Sequence, residues 1–251
     1  MPFDIARVRK ALPGRRIEFH DTLPSTQPVA VKLAEAGAPS GTAVVAAQQT
    51  AGIGRQGHSW HSEAESGLYV SLILYPPIEP ATRPILTLAL GLATAEAIAR
   101  VTGLQCDLRW PNDIMIDDRK TAGILVQLAG DAAVAGIGIN VNHESFPPDI
   151  ASTATSIRLA TGHRYDRADL LIALLESAEA YNNMLKEAGK HAVIDAFIRA
   201  SSYAKGKRVQ VDMGDRVIEG ITAGLDDYGF LRVLKPDGVL ETILAGGVRP
   251  A

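Results

Sequence analysis

Two neighbouring segments of this 251-residue chain say most about its fold and chemistry. The first is Arg109-Trp110-Pro111-Asn112-Asp113-Ile114, and the second is Arg119-Lys120-Thr121-Ala122-Gly123-Ile124-Leu125. A proline-restricted turn presents an amide and a carboxylate, and a hairpin tip then leads to a lysine three residues before a glycine. This spacing suits a site for a small molecule carrying phosphate or carboxylate. The alternative is an ordinary charged hairpin, since short motifs match by chance.

Composition indicates a globular chain with a sizeable core, because 47% of residues are hydrophobic and 21% are charged. The net charge of -3 argues against a protein that relies on nucleic-acid phosphates for affinity. One cysteine, Cys106, cannot form an internal disulfide, which fits a reducing cytoplasmic compartment. Residues 1–16 lack a signal-peptide core, and the apolar run 85–99 is too short and too polar to span a bilayer. We therefore expect a cytoplasmic protein with no membrane association.

Hydrophobic periodicity predicts the order of strands and helices. Strands are expected over 17–20, 42–48, 67–74, 108–110, 114–116, 123–128 and 133–141, with the third ending at Pro76-Pro77. Helices are expected over 26–37, 85–101, 166–186 and 191–201, and Ser25 or Thr26 can cap the first.

The composition changes at Lys205, where short alternating strands begin. They are expected over 208–211, 216–225, 230–234 and 239–245, separated by glycine-containing turns. Such closely spaced strands indicate a small barrel-like module, whose core is marginal alone and should dock on the larger part. We predict two domains, residues 1–204 and 205–251.

Two glycine-rich segments are candidate ligand sites. The loop Gln48 to Trp60 carries Gly52, Gly54 and Gly57, which permit close backbone approach to a ligand, and Arg55 adds a fixed charge. Its spacing matches neither a P-loop nor a dinucleotide fingerprint, and a flexible loop is the alternative. The strand Gly136-Ile137-Gly138-Ile139-Asn140-Val141-Asn142 puts two glycines on one face, leaving either a slot for a flat ligand or a place for tight packing.

Taken together, these segments resemble biotin protein ligases. The resemblance covers roughly residues 17 to 251, and Trp-Pro-Asn-Asp followed by Lys-x-x-Gly-Ile-Leu is its most specific part. The matching segments, in family order, are Ser25-Thr26-Gln27, the glycine loop ending in Trp60, Arg109 to Asp113, Lys120 to Leu125, Gly136 to Asn142, and Ala154-Thr155-Ser156-Ile157. The resemblance implies an α+β fold: a mixed, largely antiparallel central sheet flanked by helices, similar to class II synthetases, plus a small C-terminal SH3-like β-barrel.

Such enzymes join biotin to ATP as biotinyl-5′-AMP with release of pyrophosphate, and then transfer biotin to a lysine of a carrier protein. The resemblance implies that Lys120, Arg55 and Asp113 are catalytic. Lys120 would contact the biotin carboxylate and the phosphates, and Arg55 would stabilise the adenylate. Asp113 would orient the reacting groups and is a candidate ligand for Mg²⁺ that accompanies ATP. The implied biotin and adenylate contacts are Ser25, Thr26, Gln27, Gln49, Gly52, Ile53, Gly54, Arg55, Gly57, Trp60, Asn112, Lys120, Gly123, Ile124, Leu125, Gly136, Gly138 and Asn140.

The chain departs from the family pattern at several positions. The family usually has Asn at Gln27, Arg at Ile53 and His58, and Lys at Arg109. Losing two loop arginines lowers the local positive charge, which bears on adenylate retention. Arg55 is kept, so we expect activity to survive.

The expected partner is a biotin carboxyl carrier protein or domain of the acetyl-CoA carboxylase type. A homodimer through the central sheet is also implied, with strand 133–141 as a reasonable edge for pairing. Some family members carry an N-terminal helix-turn-helix domain. Because residues 1–16 are too few for one, we expect no DNA binding.

Two other functions remain open from the sequence. A lipoate or octanoate transferase shares a similar fold, although Trp-Pro-Asn-Asp and the C-terminal strands weigh against it. Ile53 and His58 motivate the other, a non-catalytic biotin or nucleotide sensor.

Overall fold

A seven-stranded mixed sheet forms the centre of the larger part of the molecule. The computed structural model describes residues 2–76, 79, 82 and 84–251, so Pro77, the expected end of the third strand, lies outside them. The sheet order is β1-β2-β3-β7-β6-β5-β4, with β1 and β2 parallel and the other pairs antiparallel. Its strands are β1 (Ile17–Leu23), β2 (Ala43–Gln49), β3 (Gly67–Leu74), β4 (Asp107–Arg109), β5 (Asp113–Ile116), β6 (Arg119–Ala129) and β7 (Ala132–Asn140).

Helices cover both faces of this sheet, as the α+β expectation requires. They are α1 (Ile5–Ala11), α2 (Thr26–Glu35), α3 (Pro84–Thr102), α4 (Ile157–Thr161), α5 (Arg167–Glu187) and α6 (Gly189–Ala200). On one face, α3 and α5 pack into the main core, which includes Leu72, Leu90 and Leu174. On the other, α2 covers a smaller cluster around Ala30 and Val134.

Side-chain caps fix where α1, α2, α4 and α5 begin, with Asp4 capping the first of these. Ser25 accepts a hydrogen bond from Gln27 N at the start of α2, and Asp166 accepts one from Ala168 N at the start of α5. Ser156 caps α4, which ends at Gly162 in the left-handed conformation (φ 76°) that glycine adopts without strain. The Ser25 cap places Thr26 and Gln27 against the central sheet, beside Ser71 of β3.

Helix α3 corrects one expectation from the sequence. It has 19 residues and is long and apolar enough to cross a membrane by length and composition alone. Within the protein, however, 61% of its apolar window is buried, and Leu86, Leu90 and Ile98 are core residues. This is the pattern of a core helix, which is apolar over most of its surface because most of that surface is covered.

A second, five-stranded antiparallel sheet forms the C-terminal part, in the order β11-β10-β9-β8-β12. Its strands are β8 (Lys205–Asp212), β9 (Val217–Leu225), β10 (Leu231–Leu234), β11 (Leu240–Ile243) and β12 (Gly247–Pro250). Its apolar face, including Val211 and Leu231, belongs to the same core as the larger sheet. The Trp110 indole Nε1 also donates a hydrogen bond to Gly229 O across 2.9 Å. The expected docking is therefore observed.

Three short elements were not foreseen: α1, α4 and β12.

The proposed dimerisation edge was wrong, because β7 pairs with β3 on one side and β6 on the other. An interior strand has no free backbone groups for a second copy, and the edges of the central sheet are β1 and β4.

Candidate functional site

A narrow cleft lies on the face of the central sheet where β6 and β7 run side by side. Gly123 is directly opposite Gly138, and Leu125 is opposite Gly136. Paired positions share a face, so three glycines leave a strip of bare backbone as the floor. A Cβ on Gly138 would lie 2.4 Å from the Trp60 indole, and one on Gly136 would lie 2.7 Å from Gln27 Oε1. The floor therefore accepts flat groups only because side chains are missing there.

One end of the cleft is lined by neutral polar side chains in a connected network. Ser71 Oγ donates to Gln27 Oε1 (2.9 Å) and lies 2.8 Å from Thr26 Oγ1. Gln49 Oε1 accepts from Thr26 N (2.9 Å), while its Nε2 donates to Ser62 Oγ (2.9 Å). Paired amides and hydroxyls of this kind can recognise a neutral polar ring that both donates and accepts hydrogen bonds.

Gln27 is braced by the backbone as well. Its Nε2 donates a hydrogen bond to Val134 O across 3.0 Å, and the side chain is buried beside Gly136. The amide of Gln27 is therefore fixed against the backbone of β7.

The glycine loop covers the cleft on the side that faces the glycine floor, and forms its wall. Trp60 N donates to Gly52 O (2.8 Å), and Gly54 N donates to His58 O (2.7 Å), so the loop closes on itself. Gly52 has no room for a side chain, since a Cβ would lie 2.5 Å from Trp60 O. The loop thereby holds the Trp60 ring flat against the glycine floor. The Trp60 indole Nε1 is buried with no hydrogen-bond partner among the described residues.

The charged end of the cleft is built by the β5–β6 hairpin. Asp117 and Asp118 at its tip have positive φ (49° and 56°), the conformation that Asp tolerates better than most residues. The turn brings Lys120 back beside β5, where its Nζ lies 2.5 Å from Asp113 Oδ1. Arg109 Nη2 contacts the other oxygen of Asp113 at 2.8 Å.

Arg55 completes the charged end from the glycine loop. Its Nη1 donates to Asn112 Oδ1 (2.6 Å), and Asn112 Nδ2 donates to Ile124 O (3.1 Å). Burial lowers the pKa of Arg55 by more than the nearby Asp113 raises it. The guanidinium nevertheless stays a fixed cation at neutral pH, because its ordinary pKa is so high.

Asp113 is an ionised group clamped between two cations. Burial raises the pKa of its carboxyl, but Lys120 and Arg109 outweigh burial and hold that pKa below its usual range. Each oxygen faces one of these cations, so Asp113 is placed to position Lys120.

Most of the residues singled out from the sequence meet in this cleft. Its lining includes Ser25, Thr26, Gln27, Gln49, Ile53, Gly54, Arg55, Trp60, Asn112, Lys120, Gly123, Ile124, Leu125, Gly136 and Gly138. Four others lie elsewhere. Gly52 and Asp113 support the wall and the charged end from behind. Gly57 is exposed in the loop, and Asn140 lines a neighbouring hollow while donating to Thr155 O at 3.1 Å.

The structure adds Tyr69, Val70, Ser71 and Ile137 to the lining, which the sequence analysis missed. The sequence could have indicated Ser71, because its hydroxyl interrupts the otherwise apolar run of β3 after Tyr69. The cavity volume is about 50 Å³, well below the roughly 300–1,000 Å³ of small-molecule sites. A ligand must therefore displace a side chain, and Trp60, which lies over the floor, is placed to move with its loop.

Sequence comparisons identify two families along the chain. Residues 19–143 match the biotin/lipoate A/B protein ligase family, and residues 206–248 match the biotin protein ligase C terminal domain. The bifunctional ligase/repressor BirA of Bacillus subtilis (strain 168) is 36% identical over 237 residues, covering 90% of this chain and 71% of that protein. The biotin--[acetyl-CoA-carboxylase] ligase of Mycobacterium tuberculosis is 31% identical over 215 residues, covering 83% of this chain and 78% of that protein.

Among solved structures, the biotin protein ligase from Aquifex aeolicus in complex with biotin and ATP is similar over most of the molecule. The TM-score is 0.84 at 32% sequence identity, covering 94% of this chain and 99% of that one. Because both family models match and the relatives are more than 30% identical over most of its length, the chain belongs to the biotin protein ligase family.

Proposed function

We propose that this protein attaches biotin to a lysine of a biotin carrier protein, using ATP and passing through biotinyl-5′-AMP. The observation that carries the proposal is the polarity of the cleft. A flat floor of glycines lies between a neutral hydrogen-bonding end at Gln27 and Gln49 and a cationic end at Lys120 and Arg55. Biotin has the matching polarity, with a neutral polar ring at one end and a carboxylate at the other.

The cationic end suits the first chemical step, in which a biotin carboxylate oxygen attacks the α-phosphorus of ATP and pyrophosphate leaves. Two anionic groups must approach, so fixed positive charge lowers the barrier. Lys120 is positioned by its ion pair with Asp113, and Arg55 by its hydrogen bond to Asn112. In the second step the carrier lysine nitrogen attacks the acyl carbon, and AMP leaves.

Of the two departures in the loop, Ile53 lines the cleft at its mouth, and His58 lies outside the lining. Ile53 is 43% exposed at the cleft mouth, and His58 is exposed. Arg55 lies inside the cleft, which favours a catalyst over a binding-only sensor. A lipoate or octanoate transferase is not favoured, since the Trp110-Pro111-Asn112-Asp113 turn and the C-terminal sheet fit the biotin ligases.

Mg²⁺ would enter with the ATP phosphates. The charge of Asp113 is already balanced by Lys120 and Arg109, which lowers its affinity for a further cation, and we assign no step to the ion.

Further parts of the proposal concern organisation. We divide the chain into a catalytic domain, residues 1–204, and an SH3-like domain, residues 205–251, and place the protein in the cytoplasm. A carboxylase-type biotin carrier is the proposed partner. A homodimer would have to use a surface other than β7, and light scattering with biotin and ATP present tests it: a monomer at micromolar concentration would argue against dimerisation.

The test of the function is pyrophosphate release by the purified chain with MgATP, with and without biotin, and then with a carrier domain added. We expect release that depends on biotin and rises with carrier. Lys120→Ala should lower release by about 10²–10³-fold, the usual effect of removing a preorganised charge-stabilising group. Lys32→Ala, at an exposed position on α2, is the matched control and should match the parent. Biotin binding without release would replace the ligase with a sensor.

A further inference from the structure

Three side chains that could hold a metal ion meet just outside the biotin cleft. They are His61, Glu63 and His143, and one donor atom from each lies within 4.8 Å of the others. His61 and Glu63 follow the Trp60 wall, whereas His143 lies beyond the end of β7. The cluster thus joins segments 80 residues apart, which local sequence cannot bring together.

His143 is fully buried, yet its Nδ1 has no hydrogen-bond partner among the described residues. Its other ring nitrogen, Nε2, lies 3.5 Å from Tyr69 Oη. That hydroxyl uses its hydrogen on Glu63 O, 2.9 Å away, so Nε2–H donates to the hydroxyl oxygen. This tautomer leaves a lone pair on Nδ1. A histidine whose second nitrogen is fixed by a hydrogen bond has the usual arrangement of a metal ligand.

We propose that His61, Glu63 and His143 form a site for a divalent transition metal ion, with Zn²⁺ as the favoured occupant. Two imidazoles and a carboxylate are a common zinc ligand set, with bonds of about 2.0–2.2 Å and donors about 3.3 Å apart in a tetrahedron. The donor atoms lie within 4.8 Å of one another, so they must approach by up to about 1.5 Å to reach that value. His61 is half-buried and Glu63 exposed, so an ion can enter from solvent, and a water can fill the fourth position.

The ion would pin the far end of the glycine loop. His61 is the residue after Trp60, and Trp60 must move if the cleft is to admit a ligand of ordinary size. Metal bound between His61 and His143 would tie this end of the loop to the end of β7 and hold Trp60 on its glycine floor. The metal site itself does not depend on the proposed biotin chemistry.

The competing explanation is a packed aromatic cluster. His143 stacks on Phe146 with ring centroids 5.1 Å apart, and the His61 and His143 rings are 5.6 Å apart. Stacking accounts for the rings but leaves the buried Nδ1 unpaired and gives Glu63 no role. The two explanations differ in whether the protein takes up metal.

The experiment uses the full chain without a histidine tag, stripped with EDTA and titrated with Zn²⁺ against a chromophoric chelator. We expect one equivalent to compete with the chelator, and Co²⁺ to give a visible d–d absorption band. Hydrogen exchange at amides 58–66 should slow when Zn²⁺ is added. His61→Gln and Glu63→Gln should each weaken Zn²⁺ binding by at least about tenfold.

Controls separate this site from surface binding and from misfolding. His163→Gln, at an exposed histidine outside the cluster, should bind Zn²⁺ like the parent. His143→Gln alters the core, so the half-buried and exposed positions carry the test. Absence of competition with the chelator, or equal uptake by the parent and His61→Gln, would overturn the site and leave an aromatic cluster. Because uptake is measured without biotin or ATP, this result is independent of the pyrophosphate assay.

Discussion

The glycine floor predicts a specific response to a single methyl group. In Gly138→Ala the new Cβ would lie 2.4 Å from Trp60 Cε2 and Nε1 and 2.8 Å from Cζ2. Carbon atoms in good contact are about 3.5–4.0 Å apart, so the ring must retreat by about 1 Å. The backbone of Trp60 resists this movement, because it is held by hydrogen bonds from Trp60 N to Gly52 O and from Ser62 Oγ to Trp60 O.

Overpacking of this kind costs about 1–3 kcal/mol. For a chain of this size each kcal/mol lowers Tm by about 2–4 °C, so we expect a decrease of about 2–12 °C. Biotin needs the same floor, and each 1.4 kcal/mol by which the penalty in the complex exceeds that in the free protein weakens binding about tenfold, so an excess of about 1–3 kcal/mol corresponds to about 5–150-fold weaker binding.

Differential scanning calorimetry and titration calorimetry with biotin measure the two effects. Gly247→Ala is the control, because a Cβ there meets no atom within 4 Å, and it should change neither quantity. Trp60→Ala removes the clash, so adding Gly138→Ala to it should cost much less stability than in the parent. Unchanged Tm and biotin affinity in Gly138→Ala, or an equal cost with and without Trp60, would refute the packing described here.

Two further predictions follow from charge and burial. Asp113→Asn should lower the free energy of unfolding at pH 7 by about 3–5 kcal/mol, because Lys120 and Arg109 lose their partner. The folded pKa of Asp113 is depressed, so its contribution is present above about pH 4 and lost as pH falls further. Denaturant titrations should therefore show the gap between parent and variant narrowing at pH 3.5, and equal stabilities at pH 7 would contradict the ion-pair role. Burial raises the pKa of the Cys106 thiol to about 12, and the negative charge of Asp107 contributes in the same direction. Iodoacetamide at pH 8 should therefore label the native protein far more slowly than the unfolded chain. Equal labelling rates would show that the thiol is accessible.

The long, strongly patterned elements were predictable from sequence. Strand β3 is buried along its whole length and reads as a continuous apolar run, and α3 and α5 have clear helical spacing. Even so, the sequence could not predict that β7 lies inside the sheet, between β3 and β6. An apolar strand looks the same whether its neighbour belongs to its own chain or to a second copy, so pairing partners are not encoded locally.

The residue types of the site were predictable from the sequence, whereas the ion pairs and hydrogen bonds between them were not. Family resemblance brought Lys120, Arg55 and the glycines together, and Lys120, Arg55 and four of the glycines (Gly54, Gly123, Gly136 and Gly138) line the cleft. The clamp on Asp113 depends on two left-handed residues at the hairpin tip and on a register shift between Ile114 and Met115. Backbone details of this kind decide which of several nearby cations a carboxylate meets, and no periodicity reports them.

The hydrogen bond from Trp110 to Gly229 has a consequence for modular exchange. The proline-restricted turn that carries Asn112 and Asp113 rests on a loop of the C-terminal sheet, and that loop also packs on Ile85 and Leu88 of the core helix. Removing or replacing the C-terminal segment would leave the buried N–H of the Trp110 indole unpaired. It would also expose the part of the core around Ile85 and Leu88, next to the turn that carries Asn112 and Asp113. The small sheet therefore acts as part of the catalytic scaffold although it supplies none of the residues that line the cleft. Grafting a foreign C-terminal segment would require the graft to present a carbonyl where Gly229 now does.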